Sequence, residues 1–317
     1  MTVSDHLQEL CDLPVFDFPD TGKPVELPAP ASVAWRIAVE SYDSDEQWEE
    51  AFARFLAAVD TSGVRALIVG AWSDAYDNGP EPVVSAITAA RDRLPALRAL
   101  FIGDITCDEC EISWINQGLV SPLLDAFPEL EEFGVRGGQG LVFEPVRHGK
   151  LRSLLVQTGG LGAAVVRGIA ASDLPALEHL DIWLGSSGYG ADAEVSDLEP
   201  ILTGTRLPGL TYLGLCNSDI QDRIAEAVSG APVVARLETL DLSMGTLSDE
   251  GAEALLNGQP LTHLRKLDLH HHFMGEPMVE RLTAAFKGTD VELDLDEQLG
   301  ERDPDDEWDH RYTAVAE

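Results

Sequence analysis

The sequence predicts an α/β solenoid, with parallel strands lining a concave face and helices covering a convex one. Three observations predict it. A short apolar motif, L-x-x-L-x-L with conservative swaps, returns eight times along the 317 residues. Its copies settle to a spacing that fits one strand plus one helix. The segments between copies carry apolar residues on a helical period.

The copies begin at Val64, Leu97, Leu130, Leu151, Leu177, Leu210, Leu237 and Leu264, at intervals of 33, 33, 21, 26, 33, 27 and 27 residues. Weaker copies flank them at Trp35-x-Ile37 and Leu293-x-Leu295. On a strand, side chains alternate, so the paired L-x-L positions point to one side, the core. Between strands, Trp48, Phe52, Phe55, Leu56 and Val59 form one apolar stripe of 3.6-residue period within 46–59. Ser248 followed by Asp249 and Glu250 opens another helix, with a cap and acids in the first turn. Residues 82–93, 119–127, 163–171, 220–229 and 276–286 read the same way. A single strand–helix unit cannot bury its own apolar face, but stacked neighbours can. Strands joined across helices are parallel, with right-handed crossovers. This is a leucine-rich-repeat solenoid.

One domain is expected, in three parts. Residues 1–31 form an N-terminal cap with five prolines, and Asp17-Phe18-Pro19-Asp20 folds over the first repeat. Residues 32–299 form the solenoid. Residues 300–317 form an acidic tail or cap; the stretch 290–310 holds eleven acids and one base, Arg302. Arg311 to Glu317 either adds a short strand over the last edge or hangs loose.

Lys and Arg total 21 against 56 Asp and Glu, a formal net charge of −35. Such a field repels phosphate backbones and anionic lipid, which argues against nucleic acid or a membrane surface as partner. A protein or peptide with a basic patch fits better. No basic leader and no apolar run of membrane-spanning length is present, and four scattered cysteines fit a reducing compartment, so a cytoplasmic protein is expected.

Alternation also names the side chains on the concave face. Early repeats offer Arg36, then Ile68, Gly70 and Trp72, then Phe101 and Gly103, then Gly134 and Arg136. Later ones offer His179, Asp181 and Trp183, then Tyr212 and Cys216, then Thr239, Asp241 and Ser243, then Lys266, Asp268, His270 and His272, and finally Asp294 and Asp296. The column Asp181, Gly214, Asp241, Asp268, Asp294 makes an acidic ladder with strands ~4.8 Å apart. Like charges this close favour a cation or a basic partner. Trp183 and Tyr212 beside them suit a cationic group. The expected partner surface is therefore Asp181, Trp183, Tyr212, Asp241, Ser243, Asp268, His270, His272 and Asp294.

Other motifs carry less. His270 and His272, two apart, would face the same way and share a metal with Asp268 or Asp241, the basis of an alternative metal- or small-molecule-dependent enzyme. No cofactor is otherwise implied. Cys107-Asp108-Glu109-Cys110 lacks the second pair a zinc site needs and reads as a polar loop. In the same insert, Trp114-Ile115 either packs back on the core or forms a ridge. The glycine clusters at 137–140, 159–162 and 185–190 match no phosphate loop and read as tight turns. No G-x-S-x-G, H-E-x-x-H or calcium-loop motif occurs, so a catalytic role is not expected.

The strand–helix unit near 27 residues resembles the ribonuclease-inhibitor-like class of leucine-rich repeats. The chain as a whole resembles a family of uncharacterised bacterial leucine-rich-repeat proteins. The residues that carry this are Leu13-Pro14-Val15-Phe16-Asp17-Phe18-Pro19, Val33-Ala34-Trp35-Arg36-Ile37, Phe101-Ile102-Gly103-Asp104-Ile105 with Glu111-Ile112-Ser113-Trp114-Ile115, Thr158-Gly159-Gly160-Leu161, Trp183-Leu184-Gly185, Leu240-Asp241-Leu242-Ser243 and Arg311-Tyr312. The resemblance implies a bacterial cytoplasmic repeat protein. It implies no activity, and makes a scaffold or substrate-recognition role reasonable.

Overall fold

Among the described residues, twelve strands form one sheet in which every strand lies next to its neighbours in sequence. The fold was read from a computed structural model that describes residues 3–22, 25–42, 44–299 and 311–316. The strands are β1 Glu9–Leu10, β2 Leu13–Asp17, β3 Ala34–Ile37, β4 Ala66–Val69, β5 Ala99–Ile102, β6 Glu132–Arg136, β7 Ser153–Gln157, β8 His179–Gly185, β9 Tyr212–Ser218, β10 Thr239–Asp241, β11 Lys266–Asp268 and β12 Glu292–Asp294. From β2 onward all pairs are parallel; only β1 and β2 are antiparallel. Successive strands run in the same direction because the chain returns behind the sheet between them.

The returns are α1 Trp48–Ala58, α2 Glu81–Ala89, α3 Ser121–Ala126, α4 Ala163–Ala171, α5 Val195–Thr203, α6 Gln221–Ser229, α7 Asp249–Asn257 and α8 Glu276–Phe286. In α1 the predicted stripe is buried at Trp48, Phe52 and Phe55, and the Trp48 indole donates to the Ile37 carbonyl. Ser248 caps α7 by accepting the Glu250 N–H. Sequence patterning did not reveal α5, whose interior holds Pro200. The 21-residue interval before β7 contains no α-helix among the described residues. The inward L-x-L residues form one continuous core along the whole solenoid.

Both ends depart from expectation. Leu10 and Leu13 close a two-residue hairpin turn in which Cys11 and Asp12 have φ of 59° and 55°. Positive φ at both positions gives the twist that antiparallel strands need. The hairpin folds back over the concave face. Leu7, Leu10, Leu13 and Val15 pack on Ala34, Ala66, Ile68, Ala99 and Phe101, a second core on the side of the sheet opposite the main one. Phe101 in turn lies across Gly134, where a Cβ would stand 2.2 Å from its ring. The apolar N-terminal concave face predicted as open surface is therefore covered by the chain itself. Gly70, Trp72 and Gly103, also expected there, lie beyond the ends of their strands.

Asp104 holds this strap in place. Its carboxylate is fully buried and accepts from Arg36 at 3.1 Å, Arg136 at 3.2 Å and the Leu7 N–H at 3.0 Å. The Asp104 carbonyl lies 3.1 Å from His6 Nδ1. Burial alone would raise the Asp104 pKa; His6, Arg136 and the Leu7 N–H outweigh it and keep the group below its usual value.

Residues 311–316 neither add a strand to the last edge nor hang loose. They run back along the ends of the strands. The Tyr312 carbonyl meets His271 Nε2 at 3.1 Å, Ala314 donates to Met244, and Val315 exchanges two hydrogen bonds with the Asn217 side chain. Ser113, far up the solenoid, donates to the Ala316 carbonyl. The three docking residues share a backbone state: Asn217, Met244 and His271 have φ of 55°, 65° and 56°. Each stands three positions after the central concave residue of its strand, at Gly214, Asp241 and Asp268. Left-handed residues turn the chain off the strand at one level, and the C-terminal segment lies along them. Residues 300–310 and 317, part of the expected acidic tail, lie outside the described residues.

Candidate functional site

The open part of the concave face begins where the strap ends. Strand register aligns Asp181, Gly214, Asp241, Asp268 and Asp294 in one column, as the spacing predicted. The next column holds Trp183 beside Cys216. Asp181, Trp183, Tyr212, Asp241, His270 and Asp294 are all half-buried, whereas Gly214, Cys216 and Ser243 are buried.

Three of the four acids are satisfied from within. Asp241 accepts the Ser243 N–H at 3.0 Å and the Tyr212 hydroxyl at 2.8 Å. Asp268 accepts the His270 N–H at 3.1 Å, pairs with the His270 ring at 2.7 Å and meets Lys266 Nζ at 2.9 Å. Asp294 accepts the Asp296 N–H at 3.2 Å and lies 3.5 Å from Lys266. The recurring bond from Asp to the N–H two residues on is a local turn that ends a short strand. It precedes the left-handed residues Met244, His271 and Glu297. Most of the ladder is thus strand-ending chemistry.

Asp181 differs. Strand β8 continues for seven residues, so the turn does not form and Trp183 stays paired in the sheet. The carboxylate leans over Gly214, where a Cβ would stand 2.7 Å from Oδ1. Oδ1 is buried without a hydrogen-bond partner, as is the Ser243 hydroxyl. Burial, then the negative charge of Asp241, push the Asp181 carboxyl up to about 7, against smaller opposing effects of Cys216 and Trp183. The same surroundings push the Cys216 thiol and Tyr212 phenol up, with burial the largest cause. His179 stacks on Tyr212 with ring centroids 3.8 Å apart, and burial lowers its pKa.

The histidine cluster does not form the predicted pair. His271 is left-handed and breaks the two-residue alternation after β11. His272 therefore turns into the core, fully buried, where Nδ1 accepts the Met274 N–H and Nε2 donates to the Leu295 carbonyl. Both ring nitrogens are used, so His272 leaves the candidate surface. Asp268, His270 and Asp294 do bring ligand atoms within 4.8 Å of one another. Lys266 Nζ already sits against both carboxylates, and their negative charge raises its pKa. A metal there would have to displace this ammonium. Lys266 two residues before Asp268 was the sequence signal for that internal counter-charge.

Elsewhere, Cys107 and Cys110 are both free thiols, and burial pushes Cys110 up to about 11. Trp114 and Ile115 divide between the two expectations. Ile115 is buried in the core, and Trp114 is exposed with its ring 5.7 Å from that of Tyr76. No described helix is long and apolar enough to cross a membrane.

No protein-family model and no curated protein matches the chain. Among solved structures, it is similar to a crystal structure of a Bacteroides fragilis protein, 27% identical, over 85% of this chain and 73% of that one with a TM-score of 0.76. Weaker matches are an internalin of Listeria monocytogenes, 15% identical over 75% of this chain and 69% of that one, TM-score 0.37, and a chain of the Drosophila Toll–Spätzle complex, 11% identical over 86% and 38%, TM-score 0.30. The Bacteroides structure shares the fold; the other two carry no argument about it. The sheet, its parallel register and the helices behind it establish a leucine-rich-repeat solenoid.

Proposed function

We propose that this protein is a non-catalytic interaction scaffold, binding a protein partner through the C-terminal half of its concave face. The observation that supports this reading most is Asp181. It is a partly exposed acid with an unsatisfied oxygen, flanked by half-buried aromatics, on concave surface that the N-terminal strap does not cover among the described residues. The charge of −35 favours a partner with a basic patch over nucleic acid or anionic membrane. We place the repeat with the ribonuclease-inhibitor-like class, on its alternation of strand and α-helix, and the protein in a bacterial cytoplasm. The metal-dependent enzyme reading loses support from Lys266 and from the inward turn of His272.

Partner capture with wild type and with a Trp183→Ala, Asp241→Lys double variant tests the proposal. Captured partner should slow hydrogen exchange in β8–β11 of the wild type, and the double variant should lose it. Equal capture by both proteins, with no protection of those strands, would reject the surface.

A further inference from the structure

The column of acids is neutralised unevenly. Lys266 serves Asp268 and Asp294. Neither Asp181 nor Asp241 has an ion pair among the described residues, and burial lowers the pKa of the nearby His179 ring. Asp241 has both oxygens occupied by Tyr212 and Ser243. A missing counter-charge and an oxygen without a hydrogen bond therefore coincide at one carboxylate, Asp181, whose remaining hydrogen bonds come from Cys216 and Trp183. The Ser243 hydroxyl, two residues along β10's line from Asp241, is buried beside Cys216. Trp183 stands on the same strand face as Asp181, two residues on.

A cavity of about 300 Å³ opens beside this group. It lies between the tip of the N-terminal hairpin and the sheet, with Leu7, Phe101 and Leu155 in its wall beside His179 and the acids Asp12 and Glu132. Leu155 is the register partner of Asp181, and His179 precedes Asp181 by two residues on the same strand face, so the cavity ends one residue short of the carboxylate. The strap thus does more than cover the early repeats: its tip supplies one wall of a recess with an apolar floor and an acidic rim, next to an acid without an ion pair.

We propose that the protein partner is anchored by one arginine side chain, held by Asp181 and stacked on Trp183, with an adjoining apolar residue filling the cavity beside His179. This rests on the scaffold reading above. Arginine fits better than lysine because a planar guanidinium can donate to a carboxylate while lying on an indole face. It also resists the loss of water better than a compact ammonium. A cation at Asp181 favours the ionised carboxylate, so binding should release protons near neutral pH and tighten as pH rises from 6 to 8.

The test uses the full chain and a blocked synthetic peptide, Ser-Leu-Ser-Arg-Ser, titrated calorimetrically. Replacing its arginine by citrulline, which keeps the shape and removes the charge, should weaken binding at least about tenfold. Replacement by lysine should weaken it by less, about three- to tenfold. The Asp181→Asn variant should bind the arginine peptide no better than wild type binds the citrulline peptide, and should show no proton release. A cooperative thermal melt of Asp181→Asn, no lower than wild type at pH 8, checks that the variant is folded; Trp183→Leu gives a second, independent loss. Equal binding of arginine and citrulline peptides, unchanged affinity in Asp181→Asn, or no binding of the arginine peptide overturns the anchor. A partner that protects β8–β11 in exchange but is indifferent to its own arginines would leave the scaffold reading standing while removing this one.

Discussion

Asn217 grips Val315 from both sides, donating from Nδ2 to its carbonyl at 2.5 Å and accepting its N–H at Oδ1 at 2.9 Å, across 98 residues of chain. Asparagine suits the position twice, since it also tolerates the left-handed backbone found there. Asn217→Ala should lose both bonds and strain the turn, at about 3 kcal/mol in total. Asn217→Gly should relieve the strain and cost about 2 kcal/mol. Denaturant unfolding of the two variants measures the difference. Faster proteolysis before Tyr312 would show that the segment is released.

Asp104→Ala should be among the most destabilising changes. It leaves Arg136, 3% exposed, and Arg36 facing an empty space at the centre of the strap. Removing one member of a buried charge cluster costs about 3–5 kcal/mol. The hairpin around Cys11 should become susceptible to protease before the solenoid unfolds. An unchanged digestion pattern would mean that the apolar contacts of Leu7 and Leu10 suffice alone.

Gly214→Ala probes the concave surface without altering charge. The new methyl meets Asp181 Oδ1 at 2.7 Å and must push the carboxylate off its seat. Stability should fall by about 1–2 kcal/mol. Partner capture should fall with it, to the level of Asp181→Asn. Full capture by Gly214→Ala would show that Asp181 is not where the partner docks.

Two acids set opposing pH dependences. Asp181 has a folded pKa raised from 3.8 to about 7. The folded state then holds a proton that the unfolded state has lost, so this group's contribution to stability falls as pH rises from about 4 to 7. Discounted for its partial exposure, the effect is on the order of 1–2 kcal/mol. Asp268 is lowered to about 2, where His270 and Lys266 outweigh burial. Its contribution, about 2 kcal/mol, is present above pH 4 and lost as pH falls through 2. Asp181→Asn should therefore gain on wild type as pH rises from 4 to 8, and Asp268→Asn should lose on wild type as pH rises from 2 to 4. Melts from pH 2 to pH 8 check both signs.

Lys266→Met should convert the Asp268, His270, Asp294 cluster into a better cation trap. With the ammonium gone, zinc affinity should rise at least about tenfold over wild type, and Asp294→Asn in the same background should cancel the gain. Calorimetry with zinc chloride decides it. No gain would mean that geometry, rather than Lys266, prevents ligation.

The main core was legible in the sequence because a strand's period-two alternation and a helix's apolar stripe are local patterns. Leu213 and Leu215, or Phe52 and Phe55, announce their burial without knowledge of any distant residue. The straps were not legible in this way. Leu7 and Leu10 are ordinary leucines until they meet Ile68 and Phe101, which themselves looked like exposed concave residues. An outward-facing Ile and Phe on neighbouring strands were the available clue that something covers them. The acidic column was predicted in register, but its meaning was not. Whether Asp241 or Asp181 is satisfied depends on where each strand ends, and His271's left-handed turn sent His272 inward against simple alternation.

Repeat solenoids ordinarily behave as open stacks, in which each unit answers only to its neighbours and the end units fray first. Here Leu7 is tied to Asp104 and Ala316 to Ser113, contacts that span 97 and 203 residues. Neither terminal repeat can peel away without first breaking a tie to the middle of the array. The chain should therefore melt as a single cooperative body, with hydrogen exchange at its ends nearly as slow as at its centre.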